Sequence, residues 1–156
     1  MRIFVLLGQG GRATSQGMVA LAKRLELLGE TTIHSWKDNT VIAEINRSKD
    51  KLTVVGFSLG ASALGYISHY ATRDIELGVA YDPSRYSPLV KGGTQEAPRF
   101  KRLLCYYNAG AWFWGGARYV GPNVKLIQVN NFHLGIQFNE VLHLTTLGAV
   151  AAKAGL

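Results

Sequence analysis

Six apolar runs bounded by turn-forming residues punctuate the chain: RIFVLLG (2–8), TTIHSW (31–36), KLTVVGF (51–57), IELGVAYD (75–82), RLLCYY (102–107) and VKLIQV (124–129). Their hydrophobicity is continuous rather than alternating, the pattern of strands buried on both faces. Between them, apolar positions recur at helical spacing. SQGMVALAKRLELLG opens on Ser15 as an N-cap and ends on Gly29 as the residue past the helix; further helices are predicted over roughly 39–48 and 59–72, and an amphipathic one over about 138–154. Strand and helix alternate, so the predicted fold class is α/β, with a mostly parallel sheet of about six strands and helices on both faces.

Two stretches interrupt the alternation. Residues 83–100 carry three of the four prolines, and residues 108–123 carry two of the three tryptophans among several glycines. Each follows a predicted strand, which puts it near the carboxyl edge of the sheet, where open α/β sheets bind ligands. With no internal repeat or linker, the 156 residues read as a single domain over 1–156.

Composition narrows the picture. The one cysteine, Cys105, excludes an internal disulfide, and no Cys/His cluster has zinc-ligand spacing; inside LLCYY it reads as a structural thiol. The apolar run at the N-terminus is too short for a signal-peptide core or a membrane span, and a cytoplasmic protein is expected. Lysine and arginine number 17 against 10 aspartates and glutamates, a net charge of +7 with local clusters at Arg47, Lys49, Lys51 and at Arg99, Lys101, Arg102. Such charge attracts anionic substrates, membrane surfaces or nucleic acid. No nucleic-acid motif accompanies it, so a solvated basic face is the simpler reading of each cluster.

The most informative short stretch is Gly56-Phe57-Ser58-Leu59-Gly60, a G-x-S-x-G pattern at the junction of a predicted strand and helix. A turn that tight requires the residues two before and two after the serine to lack side chains, because strand and helix would otherwise collide. The serine hydroxyl is thereby held away from the backbone, beside a helix N-terminus whose free amides stabilise developing negative charge. Ser58 is the predicted nucleophile. A glycine-rich strand-to-helix turn that merely binds phosphate is the alternative.

A serine nucleophile needs a base, and the base needs a carboxylate to orient it. On this kind of fold the order along the chain is serine, acid, histidine. Asp82 closes the run LGVAY at the carboxyl edge and is the predicted acid, although Asp-Pro is also a common turn opener; Glu96, in the following loop, is held in reserve. Asp74 and Glu76 precede their strand and stand at the wrong edge. His133 follows the last strand by four residues and is the predicted base. His143 falls inside the last helix on a stripe with Leu147 and Val150 and reads as packing, while His34 and His69 lie on an early strand and at a helix end. Gly8-Gln9-Gly10-Gly11 supplies a second oxyanion donor beside the Leu59 amide, with Gln9 the first choice and Gly10 the next. Trp112, Phe113 and Trp114 either wall a substrate pocket or pack beneath a long loop. No metal or cofactor is required.

Taken together, LLGQGGRATSQGMVALAKRL, VVGFSLGASAL, VAYDP, NVKLIQVNNFHLGI and the terminal VLH segment resemble the α/β-hydrolases, in particular small bacterial and phage lipase- or esterase-like proteins. The resemblance implies Ser58 as nucleophile, Asp82 as acid, His133 as base and Gln9 with Leu59 as oxyanion donors, acting on a carboxylic ester or thioester. It also implies a minimal version of the fold, starting at what would be its third strand and with no lid domain. Its acid follows the strand directly after the serine, as in pancreatic-type lipases, where many of these enzymes place it one strand later. Two other readings remain open: a degenerate hydrolase acting as a binding module, and a nucleotide-binding protein in which GQGGRA matches G-x-G-x-x-A with Asp38 as the ribose acid.

Overall fold

The computed structural model describes residues 1–88, 90–110 and 114–156. In chain order the elements are β1 (Arg2–Leu7), α1 (Gln16–Leu25), β2 (Glu30–Ser35), α2 (Thr40–Arg47), β3 (Leu52–Phe57), α3 (Leu59–Tyr70), β4 (Leu77–Tyr81), β5 (Thr94–Glu96), β6 (Leu103–Tyr107), β7 (Arg118–Val120), β8 (Val124–Gln128) and α4 (Glu140–Ala154). Each of the six apolar runs forms a strand. All six pair in parallel, in the order β2-β1-β3-β4-β6-β8. The chain therefore winds outward from the centre in both directions. Between β1 and β3 the order reverses, and the loops leaving these two strands part to opposite faces and open a crevice at their carboxyl ends.

Successive side chains of a strand point to opposite faces, so each central strand feeds two cores. On one face Ile3, Val5, Val55, Val79 and Leu104 pack against Met18, Leu21 and Leu25 of α1 and Leu142 and Val150 of α4. On the other, Phe4, Leu6, Val54, Ala80 and Leu103 pack against Val41 and Ile45 of α2 and Ala61, Leu64 and Ile67 of α3. Cys105 lies in this second core, and burial pushes its thiol up to about 12, which suits a packing residue.

Three details depart from the sequence expectations. Ser15 does occupy the N-cap position of α1, but its hydroxyl makes no capping bond and instead accepts from the Gly8 amide at 3.1 Å, pinning the end of β1. The edge strand β8 is less buried than its apolar run suggests, with Leu126 44% exposed, because an edge strand lacks a neighbour on one side. The short parallel pair β5–β7 was not anticipated. It has no apolar run; one buried residue in each strand, Gln95 and Tyr119, faces inward. The Tyr119 hydroxyl accepts from the Gly65 amide at 2.8 Å and donates to the Ala61 carbonyl at 2.7 Å, tying the second interrupting loop to α3. No helix among the described residues is long and apolar enough to cross a membrane.

Candidate active site

β3 ends on Phe57, α3 begins on Leu59, and Ser58 makes the whole turn between them at φ 57° and ψ −118°. This is a left-handed conformation that costs a serine on the order of 1–3 kcal/mol and persists only where the surroundings impose it. Here the imposition is visible. A Cβ on Gly56 would collide with the Gly60 carbonyl, and one on Gly60 would collide with the Leu6 carbonyl of β1. The Ser58 amide donates to the Tyr81 carbonyl at 3.0 Å, and its carbonyl accepts from the Ser62 amide at 3.0 Å.

The next strand ends in a second strained residue. Asp82 has φ 46° and is fully buried, its amide donating to the Tyr106 carbonyl at 2.7 Å. A buried carboxylate is tolerated only when its oxygens find donors. Oδ1 accepts from the amides of Asn108 at 3.0 Å and Gly116 at 2.8 Å. Oδ2 lies 2.7 Å from His133 Nδ1, and His133 Nε2 lies 2.8 Å from Ser58 Oγ. An acceptor-only carboxylate oxygen at Nδ1 holds the ring proton there and leaves Nε2 to accept from the serine hydroxyl.

The imidazole is held from several sides. Phe57 stacks on it with centroids 5.2 Å apart. Gly115 lies against its Nδ1 edge. The loop that carries His133 is tied down by the Asn108 side chain, which donates to the Asn131 carbonyl, by Asn139 donating to Asn131 Oδ1 at 2.8 Å, and by Gln137, whose amide group donates to the Thr14 and Leu134 carbonyls. Gln137 Oε1 accepts from the Gly17 amide at 3.1 Å, so this loop is anchored directly to the start of α1.

Ser58 and His133 open into a cleft of about 480 Å³ lined also by Gln9, Thr14, Phe57, Trp114, Phe132 and Leu134. The cleft lies at the reversal between β1 and β3: Gln9 follows the first and Ser58 the second. Neither the Gln9 nor the Leu59 amide has an acceptor among the described residues. Gly10 is not among the cleft residues; it turns the chain at φ 84° into a short 3-10 turn, Gly11–Ala13.

The structure thus brings Ser58, Asp82 and His133 into one hydrogen-bonded line, with Gln9 and Trp114 beside it. Trp112 and Phe113 lie outside the described residues. Glu96 is on β5 and makes no bond to His133. His143 is buried in α4, its Nε2 2.6 Å from the Gln137 carbonyl, and burial holds its pKa below the usual value. Asp38, the ribose acid of the nucleotide-binding reading, has its carboxylate bound by the Thr40 and His34 side chains, which lower its pKa to about 2. The GQGGRA loop does not run directly into a helix, since the 3-10 turn precedes α1. Among the described residues no group of three or more His, Cys, Asp or Glu is placed to hold a metal ion.

Sequence reasoning missed Asn108, Gly115 and Gly116, which hold Asp82 and crowd His133, and Phe57, the platform for the imidazole. The Gly115-Gly116 pair directly after Trp114 was the available signal, since adjacent glycines mark close backbone approach.

No family model and no curated protein matches this sequence. Solved structures do. A candidate hydrolase of the alpha/beta superfamily from Xanthomonas campestris pv. campestris superposes with a TM-score of 0.66 at 11% identity, covering 99% of this chain and 98% of its own. The ydeN gene product of B. subtilis superposes with a TM-score of 0.66 at 10% identity, over 95% and 97% of the two chains. A structure from LipS and LipT, two metagenome-derived lipolytic enzymes, gives 0.64 at 14% identity over 97% and 93%. At these identities the likeness is one of fold: the chain has the small α/β-hydrolase fold.

Proposed function

We propose that this protein is a serine hydrolase that cleaves a carboxylic ester or thioester. The observation that carries this reading is the unbroken line from buried Asp82 Oδ2 through His133 to Ser58 Oγ, 2.7 and 2.8 Å long, opening into an apolar cleft. The fold shared with lipolytic enzymes supports it.

In the first step Ser58 Oγ attacks the acyl carbon while His133 Nε2 takes the hydroxyl proton. The carbonyl oxygen becomes an oxyanion, for which the Leu59 and Gln9 amides are the donors. Asp82 holds the imidazole in the accepting tautomer and stabilises the imidazolium. Collapse of the tetrahedral intermediate breaks the bond to the leaving oxygen or sulfur, which receives the proton from His133. Water then attacks the acyl-serine with His133 again acting as base, releasing the acid and restoring Ser58.

The lining residues Phe57, Trp114, Phe132 and Leu134 favour an apolar acyl group over a charged one. The test is turnover of a series of p-nitrophenyl esters of increasing acyl length by the wild type and by Ser58→Ala. Activity in the wild type that Ser58→Ala lowers by several orders of magnitude, to the residual an oxyanion hole supports, is expected. Equal activity in both, or none in a folded wild type that still binds the esters, removes the reading; the second result makes the protein a binding module.

A further inference from the structure

Four large side chains are exposed around one opening, where single exposed residues would need no explanation. Trp114, Phe132 and Leu134, which line the cleft, are 58%, 73% and 52% exposed, and Tyr86, 65% exposed, packs on Trp114 with ring centroids 6.1 Å apart. The charge around them is one-sided. The sequence segments that carry these side chains and Gln9 and Thr14 of the cleft, 8–15, 83–95, 108–123 and 129–139, contain none of the chain's 10 acidic residues but carry Arg12, Arg85, Lys91 and Arg118. Arg12 stands between Gln9 and Thr14 of the cleft, and Arg85, next to Tyr86, donates to the Gly116 carbonyl at 3.5 Å. Neither has a carboxylate partner among the described residues.

We propose that the mouth of the cleft docks on an anionic lipid surface, with Tyr86, Trp114, Phe132 and Leu134 entering the interface and Arg12 and Arg85 facing lipid phosphates. Aromatic and aliphatic side chains flanked by cations match the two layers of such a surface, acyl boundary and charged headgroups. A second copy of the chain fits poorly, because a two-fold contact centred on the mouth would bring the arginines of both copies together. That the surface delivers an acyl ester to Ser58 rests on the hydrolase reading; the docking itself does not.

The experiment is flotation of the Ser58→Ala protein, which leaves the lipid intact, with vesicles of phosphatidylcholine alone or mixed with phosphatidylglycerol. Binding to the mixed vesicles that weakens with salt is expected, and an Arg12→Gln/Arg85→Gln variant should partition about 30-fold less, from about 1 kcal/mol per cation near a charged surface. In an otherwise wild-type protein the same pair should leave turnover of soluble p-nitrophenyl butyrate unchanged. No binding to the mixed vesicles, equal binding by the double variant, or self-association through the mouth in its place overturns the docking. Turnover of the soluble ester without vesicle binding removes the docking alone, whereas vesicle binding without turnover or active-site labelling removes the hydrolase reading and leaves the docking standing.

Discussion

Gly115 lies so close to Asp82 that a single methyl group on it would overlap the carboxylate Oδ2 and reach His133 Nδ1 at the same time. The hydrogen bond between Asp82 and His133 is thus closed in on one side by bare backbone. Gly115 itself is not among the residues that line the cleft.

Gly115→Ala therefore tests the pair without altering any ionisable group. Gly115 does not have a positive φ, so the substitution introduces a contact rather than backbone strain. Overpacking of this kind costs roughly 1–3 kcal/mol, and displacement of a catalytic group by about 1 Å costs on the order of 100-fold in rate. A folded variant with a lower melting temperature and kcat reduced about 100-fold is expected; wild-type turnover would show that the Asp82–His133 geometry does not matter.

Asp82→Asn separates charge and tautomer from fold. The asparagine oxygen can still accept from the Asn108 and Gly116 amides, but its NH2 group would face His133 Nδ1 and demand an acceptor there. The ring proton would move to Nε2, where it cannot take a proton from Ser58. Turnover should fall by roughly 10⁴-fold with the protein still folded. If Glu96→Gln is the crippling change instead, the acid has been misassigned.

His143 sets a pH dependence of stability that has nothing to do with turnover. Burial lowers its folded-state pKa below the usual 6.5, opposed by its bond to the Gln137 carbonyl and by nearby Glu140, with Arg24 adding to the lowering. As pH falls through about 6.5 the unfolded chain takes up a proton that the folded protein refuses, so stability is present above that pH and is lost below it, down to the folded-state pKa. The slope is at most about 1.4 kcal/mol per pH unit for one group. Melting temperatures at pH 7.5 and 5.5 should differ less for His143→Gln than for the wild type; an equal difference in both would place the acid sensitivity elsewhere.

The sheet was legible because its central strands are buried on both faces, and continuous apolar runs such as LTVVGF fit the doubly covered strands of a parallel sheet. The Ser58 turn was legible for a different reason. Gly56 is required by a collision with the Gly60 carbonyl inside the same turn, which a five-residue pattern can record, and Gly60 by the close passage of β1, whose Leu6 carbonyl a Cβ there would meet. The order of Asp82 and His133 followed from where strands end. What could not be read was the approach of one loop to another: Gly115 against Asp82, Asn108 against Asn131, and Tyr119 against α3 are contacts between segments without apolar periodicity. Ser15 shows the same limit in miniature, since its hydroxyl could serve its own helix or the Gly8 amide, and only the three-dimensional path of the chain decides.

The most direct test of the central claim is to label the wild type with a fluorophosphonate and map the modified residue. Such a probe reports nucleophilic activation without any assumption about substrate. Modification of Ser58 is expected, with none in Ser58→Ala, none or a severely slowed reaction in a folded His133→Ala, and His143→Ala labelled like the wild type. Modification of a different serine with Ser58 untouched, or a folded His133→Ala that labels at the wild-type rate, would contradict that claim.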